Sequence, residues 1–264
     1  MKPLRKQGII LFTILALIMV ACGGDTAEET VEEAAPEVVE TLDSPAVTTA
    51  STVKTGVGVT SDPCPEVIGG IPTGADPSKG CIYLGLLNDY TGPFGPYGIP
   101  LETGQRGFWL WANQSGGIGD YSVAIVEGYD TQYNPQKHLE GYKAQRDEVA
   151  ALAMSLGTPQ TQFILDDMDA DNMVAAPMSW YSGWSYKSSD RGLVIEFGAA
   201  YCADGMNAVD WAMANLPVDI KTIGVMGYAG DYGGDYAAGI RVAAEANGLE
   251  VAWEYIVPST EFDV

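Results

Sequence analysis

The sequence predicts an α/β protein built on parallel sheets flanked by helices, and three observations carry that expectation. Short apolar runs such as "CIYLGLL", "VAALAMSLG" and "KTIGVMGY" alternate with helix-length stretches from Cys81 onward. These runs are apolar almost throughout, the pattern of strands buried on both faces of a parallel sheet. The junctions carry helix punctuation: Asn134 followed by Pro135 as a start, and Gly116-Gly117 and Gly248 as stops. In such sheets ligands sit at the carboxyl ends of the strands, in the loops that lead to the helices.

The N-terminus reads as an export signal. "MKPLRKQG" is basic and "IILFTILALIMVA" is an uninterrupted apolar run that stops at Cys22. The run is short for a comfortable membrane span, so residues 1–21 read as a signal peptide. "MVAC" resembles the lipobox of bacterial lipoproteins, with Met19 where Leu is usual, and this makes Cys22 the lipidation candidate. An ordinary signal peptide or a membrane anchor is the alternative. Acyl chains on Cys22 act as a tether to the membrane rather than a span. Residues 22–78 read as an acidic linker, mostly disordered, with a short helix around Ala27 to Glu40 as the alternative.

The 264 residues carry a net charge of -22, which repels nucleic acid and anionic lipid headgroups. With Cys22 set aside, Cys64, Cys81 and Cys202 remain. Export permits a disulfide, and Cys64 with Cys81 would close a short loop at the edge of the folded body. Cys202 is then left over.

Taken in order, "CIYLGLL" is the first strand and ends in the turn "NDYTGPFGPYG". "LETGQRGFWLWANQSGG" is a helix with Gly104, Phe108 and Trp111 on one face; Trp109 and Trp111 read as core. "YSVAIVEGYD" is a strand, "NPQKHLEGYKAQRDE" a helix with His138 on its surface, and "VAALAMSLG" a strand. "TPQTQFILDDMDAD" reads as one helix, and "MVAAPMS" and "LVIEFGA" as strands around a loop rich in Trp, Ser and Tyr. This makes a first α/β lobe of residues 79–200. A second lobe, 201–264, repeats the alternation with the helix "MNAVDWAMANL", the strand "KTIGVMGY", a glycine-rich turn, a further helix and the strand "EVAWEYIV". The chain stops after that strand, and this lobe reads as incomplete.

Most chemistry finds no support. The turn "GYAGDYGGDYAAG" lacks the Gly-Lys-Ser/Thr of a P-loop and the G-x-G-x-x-G spacing of a dinucleotide site. Asp231 and Asp235 also place negative charge where a phosphate would dock. Asp167, Asp169 and Asp171 have EF-hand spacing, but Asn172 replaces the glycine and Met178 the bidentate glutamate. One histidine, no Cys/His cluster and no G-x-S-x-G elbow leave no metal, cofactor or catalytic residue to assign. What the loops do hold is hydroxyls, amides and aromatics: Tyr97, Thr158, Gln160, Thr161, Ser179, Trp180, Tyr181 and Trp184. That set suits a small polar molecule, though loop tyrosines also serve as half-buried props.

The segments "IYLGLLNDYTGPFGPYG", "ANQSGGIGDYSVAIVEGYDTQYNP", "LGTPQTQFILDDMDADNMVAAPMSWYSG" and "KTIGVMGYAGDYGGDYAAGIRVAAEANGLEV" resemble, in order and spacing, the leucine-binding type of periplasmic binding protein. These are the substrate-binding lipoproteins of ABC transporters for branched-chain amino acids. The resemblance implies the type I architecture, two α/β lobes that close on a ligand about a hinge. It implies ligand contacts from Tyr97, from Thr158, Gln160, Ser179 and Tyr181 toward a carboxylate, and from Tyr232 with Asp231 beside it. An acid that meets the ligand ammonium is expected beyond Val264. The implied role is capture of an amino acid or related small polar solute, without catalysis, for delivery to ABC permease subunits. A ligand-sensing domain on the same fold is the alternative.

Overall fold

The computed structural model describes residues 54–186, 190–230 and 232–258. The predicted leader, Cys22, the linker as far as residue 53 and Asp231 lie outside the described residues.

The first lobe is built on a six-stranded sheet. Its centre is β4 (Gly80–Asn88), whose Leu86 and Leu87 point to opposite faces and are both fully buried. Burying a leucine side chain contributes about 1.5–3 kcal/mol, so a strand apolar on both sides holds two layers of helices at once. Along one edge β4 pairs in parallel with β5 (Tyr121–Ile125) and then β6 (Tyr129–Asp130). Along the other it pairs in parallel with β7 (Ala151–Leu156), which pairs in turn with β8 (Ala175–Met178). The short β1 (Val59–Thr60) joins β4 antiparallel, making the sheet mixed, and β2 (Val67–Ile68) with β3 (Ile71–Pro72) forms a small separate hairpin.

The helices between these strands are anchored by polar side chains that complete the backbone ladder. Helix α1 (Gly95–Gln114) holds the edge strand through Asn113, which accepts from the Val123 N–H at 2.8 Å and donates to the Val123 carbonyl at 2.7 Å. Arg106 pairs with Glu102 at 2.7 Å and donates to the carbonyls of Ile125 and Val126 where β5 ends. Helix α2 (Pro135–Gln145) begins as Asn134 and Pro135 predict, with the Asn134 side chain accepting from the N–H groups of Gln136 and Lys137. Its Gln145 spans a break in the ladder, accepting from the Leu86 N–H and donating to the carbonyl of Glu127.

Five features differ from the expectations. Residues 54–78 are not all linker: β1 extends the main sheet and, with the expected Cys64–Cys81 bond formed (S–S 2.01 Å), the folded body starts well before residue 79. The stretch 158–171 is two helices, α3 (Thr158–Phe163) and α4 (Leu165–Asp171), because the chain bends at the buried Ile164. "LVIEFGA" touches β8 at one bridge, Ala175 to Val194, after a tight turn in which Arg191 and Gly192 both have positive φ. Trp111 is 62% and Phe108 51% exposed, since α1 lays Leu101 and Trp109 on the sheet instead. His138 is fully buried, on the side of α2 that faces β7.

The second lobe packs α5 (Tyr201–Asn215) and α6 (Gly233–Ala246) on one face of a parallel pair, β9 (Thr222–Tyr228) and β10 (Glu250–Val257). Val209, Val225, Ala237, Ile240 and Ala243 form its core. Cys202, in the first turn of α5, is the free cysteine among the described residues.

The disulfide joins residues 17 apart, and closing a loop of that size in the unfolded chain is worth about 3 kcal/mol. A Cys64→Ser/Cys81→Ser variant is therefore expected to lose about that much stability in urea titration. An unchanged midpoint would mean that β1 and the hairpin hold the segment unaided.

Candidate aromatic binding cleft

A cavity of about 400 Å³ lies at the carboxyl ends of β4, β7, β8 and β9, the position the topology assigns to a ligand. Its walls come from both lobes. The first lobe contributes Phe94 and Tyr97 after β4, Tyr133 after β6, Gly157 after β7 and Trp180 after β8; the second contributes Tyr201, Tyr228 and Tyr232. An adjoining hollow of about 630 Å³ continues into the second lobe and shares those last three tyrosines.

The aromatic cage is set by backbone capping. Asp89 is buried and its two oxygens accept from the N–H groups of Gly92 (2.6 Å) and Phe94 (2.8 Å). That folds the loop back on itself and sets Phe94 at the head of α1. Phe94 lies against Tyr133 with ring centroids 4.1 Å apart and meets Tyr232 edge-on at 6.1 Å and Tyr228 at 6.4 Å. Tyr201 meets Tyr232 edge-on at 5.3 Å. Edge-to-face pairs at such spacing are each worth about 0.5–1.5 kcal/mol beyond their buried area. Tyr133 is held in this position by Gln160, whose amide nitrogen donates to the Tyr133 carbonyl at 2.7 Å.

Of the residues expected to meet a ligand, Tyr97 and Tyr232 stand on the cavity wall, Tyr97 at the rim with 65% of its surface exposed. Thr158, Gln160 and Ser179 are buried directly behind it, next in the chain to or near the wall residues Gly157, Met178 and Trp180. The hydroxyls of Thr158 and Ser179 are 2.6 Å apart, and the Trp184 indole N–H donates to the Ser179 hydroxyl at 2.9 Å. Tyr181 packs on Trp184 (5.5 Å, 86°) and the first-lobe core and is not among the residues lining the cavity. Phe94, Tyr133, Tyr201 and Tyr228 are wall residues that sequence reasoning did not single out.

Burial raises the phenols of Tyr133, Tyr201 and Tyr232 above their ordinary value. For Tyr201 the backbone of Trp180 and the hydroxyls of Thr158 and Ser179 partly oppose that rise. All three phenols are therefore neutral at physiological pH and keep their hydrogens to donate. None of the described residues lining the cavity carries a charged side chain. Among the described residues, no group of three His, Cys, Asp or Glu side chains is placed to hold a metal ion.

A two-lobed α/β body with an aromatic cleft at its strand ends is the architecture of a bilobal binding protein. The chain belongs to the periplasmic binding protein family, whose sequence profile matches residues 81–264. Among solved structures it is similar to a fatty acid ABC transporter substrate-binding protein from Thermomonospora curvata, with 28% identity and a TM-score of 0.61 over 72% of this chain and 47% of that one. It also shares its fold with a branched chain amino acid ABC transporter protein from Thermus thermophilus with bound valine (15% identity, TM-score 0.59, 68% and 46% covered). A solute binding protein from Rhodopseudomonas palustris HaA2 in complex with p-hydroxybenzoic acid gives 16% identity and a TM-score of 0.59, with 69% and 48% covered. The chain thus spans about half the length of the structures it matches. No curated protein sequence matches it.

Proposed function

We propose that this chain is the solute-capturing part of an extracytoplasmic substrate-binding protein that serves an ABC importer. It takes a small solute between its lobes and delivers it to permease subunits without altering it. Export through residues 1–21 and tethering through a lipid on Cys22 belong to the same reading. The observation that carries it is the cavity itself, which draws its walls from the loops of both lobes at the strand ends.

The chemistry of the walls favours a small carboxylate with an apolar body, an amino acid being one member of that class. Aromatic faces cover the body, and hydroxyls meet the oxygens. An indole can only donate, so Trp184 occupies one lone pair of Ser179, and Ser179 and Thr158 use one hydroxyl hydrogen between them. One hydrogen of that pair is left over, and the neutral Tyr201 phenol keeps its own at the cavity wall. Two O–H donors are therefore free to meet the oxygens of a carboxylate. Fatty acid, valine and p-hydroxybenzoic acid, named for the three similar structures, are all carboxylic acids with apolar bodies.

The test is a thermal-shift and calorimetric panel of octanoate, p-hydroxybenzoate, valine and benzamide. At a hundredfold excess over Kd a true ligand stabilises the protein by about 2.7 kcal/mol. No response to any carboxylate would sink the reading. Tyr201→Phe is expected to weaken the best carboxylate about tenfold and leave the melting temperature of the free protein unchanged. Tyr232→Ala should weaken binding at least as much by removing one side of the cage, and unaltered affinity would remove Tyr232 from the site.

A further inference from the structure

Among the described residues, a side chain of the second lobe bonds the first lobe away from the cavity wall. Ser182 opens a short 3-10 turn (Ser182–Ser185) that follows β8 in the first lobe. Trp184 within that turn is buried, bonded to Ser179 and packed on Tyr181. Across the gap, Asp235 is the third residue of α6 in the second lobe. One Asp235 oxygen accepts from the Ser182 N–H at 2.8 Å and the other from the Ser182 hydroxyl at 2.7 Å.

A carboxylate that receives two donors from one residue is fixed in direction as well as distance. Neither residue lines the cavity. The two bonds therefore act on how the lobes sit, without touching a bound solute. Resting on the lobe-closing reading above, we propose that Asp235 and Ser182 form a clasp that holds the lobes together over the cavity, with Asp235 as a positioning residue for solute retention. Other links between the lobes, including the edge-on rings of Trp180 and Tyr201, are of a different kind. The chain passes from lobe to lobe where the Tyr201 N–H donates to the Trp180 carbonyl at 2.7 Å, and Phe94 touches Tyr228 and Tyr232 only ring to ring. Because both clasp bonds run between the same two residues, any change of lobe orientation that parts Ser182 from Asp235 breaks them together.

Asp235 also suits the first turn of α6, where a negative charge favours the helix end. That local role involves no residue of the first lobe, so Ser182→Ala separates the two: it removes one clasp bond and leaves α6 untouched.

The experiment uses the full chain with Asp235→Asn, Ser182→Ala and both together. Stopped-flow release is measured for whichever of octanoate, p-hydroxybenzoate and valine binds best, and solution scattering is recorded without solute. For Asp235→Asn the clasp predicts release about tenfold faster, unchanged association, and a larger radius of gyration in the free protein. Ser182→Ala should move both readings in the same direction by less, and the double variant should go no further than Asp235→Asn. Wild-type release and radius in both single variants would overturn the proposal, as would effects that simply add. Should Asp235→Asn fail to fold, Ser182→Ala decides by itself. If no probe binds the unaltered protein, the solute-binding reading fails, and the scattering comparison still judges the clasp.

Discussion

Gly157→Ala is expected to destabilise the protein by about 3 kcal/mol and to abolish solute binding. Gly157 sits between β7 and α3 with φ 103° and ψ 138°, a region closed to residues that carry a Cβ. A Cβ there would also lie 2.1 Å from Gln160 Oε1 and 2.8 Å from Tyr133 Cε2. Gln160 cannot simply swing aside, because its amide nitrogen holds the Tyr133 carbonyl. Tyr133 has little freedom either: it and Gln132 already have positive φ, and its ring stacks on Phe94. The added methyl therefore propagates into the wall of the cavity. Gly230→Ala is the control, since Gly230 also has positive φ but nothing within 4 Å of an added Cβ, leaving only backbone strain of about 1 kcal/mol. Denaturant titration and calorimetry on both variants check this; equal, small effects would mean that the Gly157–Gln160–Tyr133 packing does not shape the cavity.

The layering of strands and helices was legible because buried parallel strands are apolar throughout, and "IYLGLL" and "ALAMSL" have no other sensible environment. The ligand end of the sheet followed from the alternation, which put Tyr97 within reach, while Tyr232 came from the family resemblance. Phe94 and Tyr133 were not, for their positions depend on Asp89 capping and on consecutive positive-φ residues, neither of which leaves a periodic trace. Tyr201 was missed because α5 begins five residues before the apolar pattern at Met206 suggests. His138 is the instructive case. Beside Lys137, Glu140 and Lys143 it looks like a surface residue, yet the buried positions of α2 are His138, Gly141, Tyr142 and Gln145. That is the i, i+3, i+4, i+7 stripe of a core-facing helix, written in residue types that a search for apolar side chains passes over.

That buried histidine also predicts a pH response. His138 Nε2 lies 2.8 Å from the Ser155 hydroxyl, which lies 2.7 Å from the Thr161 hydroxyl, which donates to the Gly157 carbonyl at 2.9 Å. Burial holds the imidazole neutral, with its titration pushed down to about 3 from the ordinary 6.5. The unfolded chain therefore takes up a proton that the native state refuses as pH falls below 6.5. Stability is complete above that value and is lost as the pH drops toward the folded value. The loss amounts to about 2 kcal/mol by pH 5 and approaches about 1.4 kcal/mol for each further unit. Because His138 is the only histidine in the chain, few other groups titrate between pH 6.5 and 5, so the slope is attributable. His138→Gln keeps an amide donor for Ser155 and removes the titration, so its stability should be flat across that window. Imidazole nitrogen resonances of the folded protein should remain those of the neutral ring at pH 5. An equal slope in His138→Gln would show that other groups carry the response, whereas a native-state titration near 6.5 would show that the network under Gly157 admits the proton. The cavity wall would then be bound to a charge that nothing among its described partners is placed to neutralise.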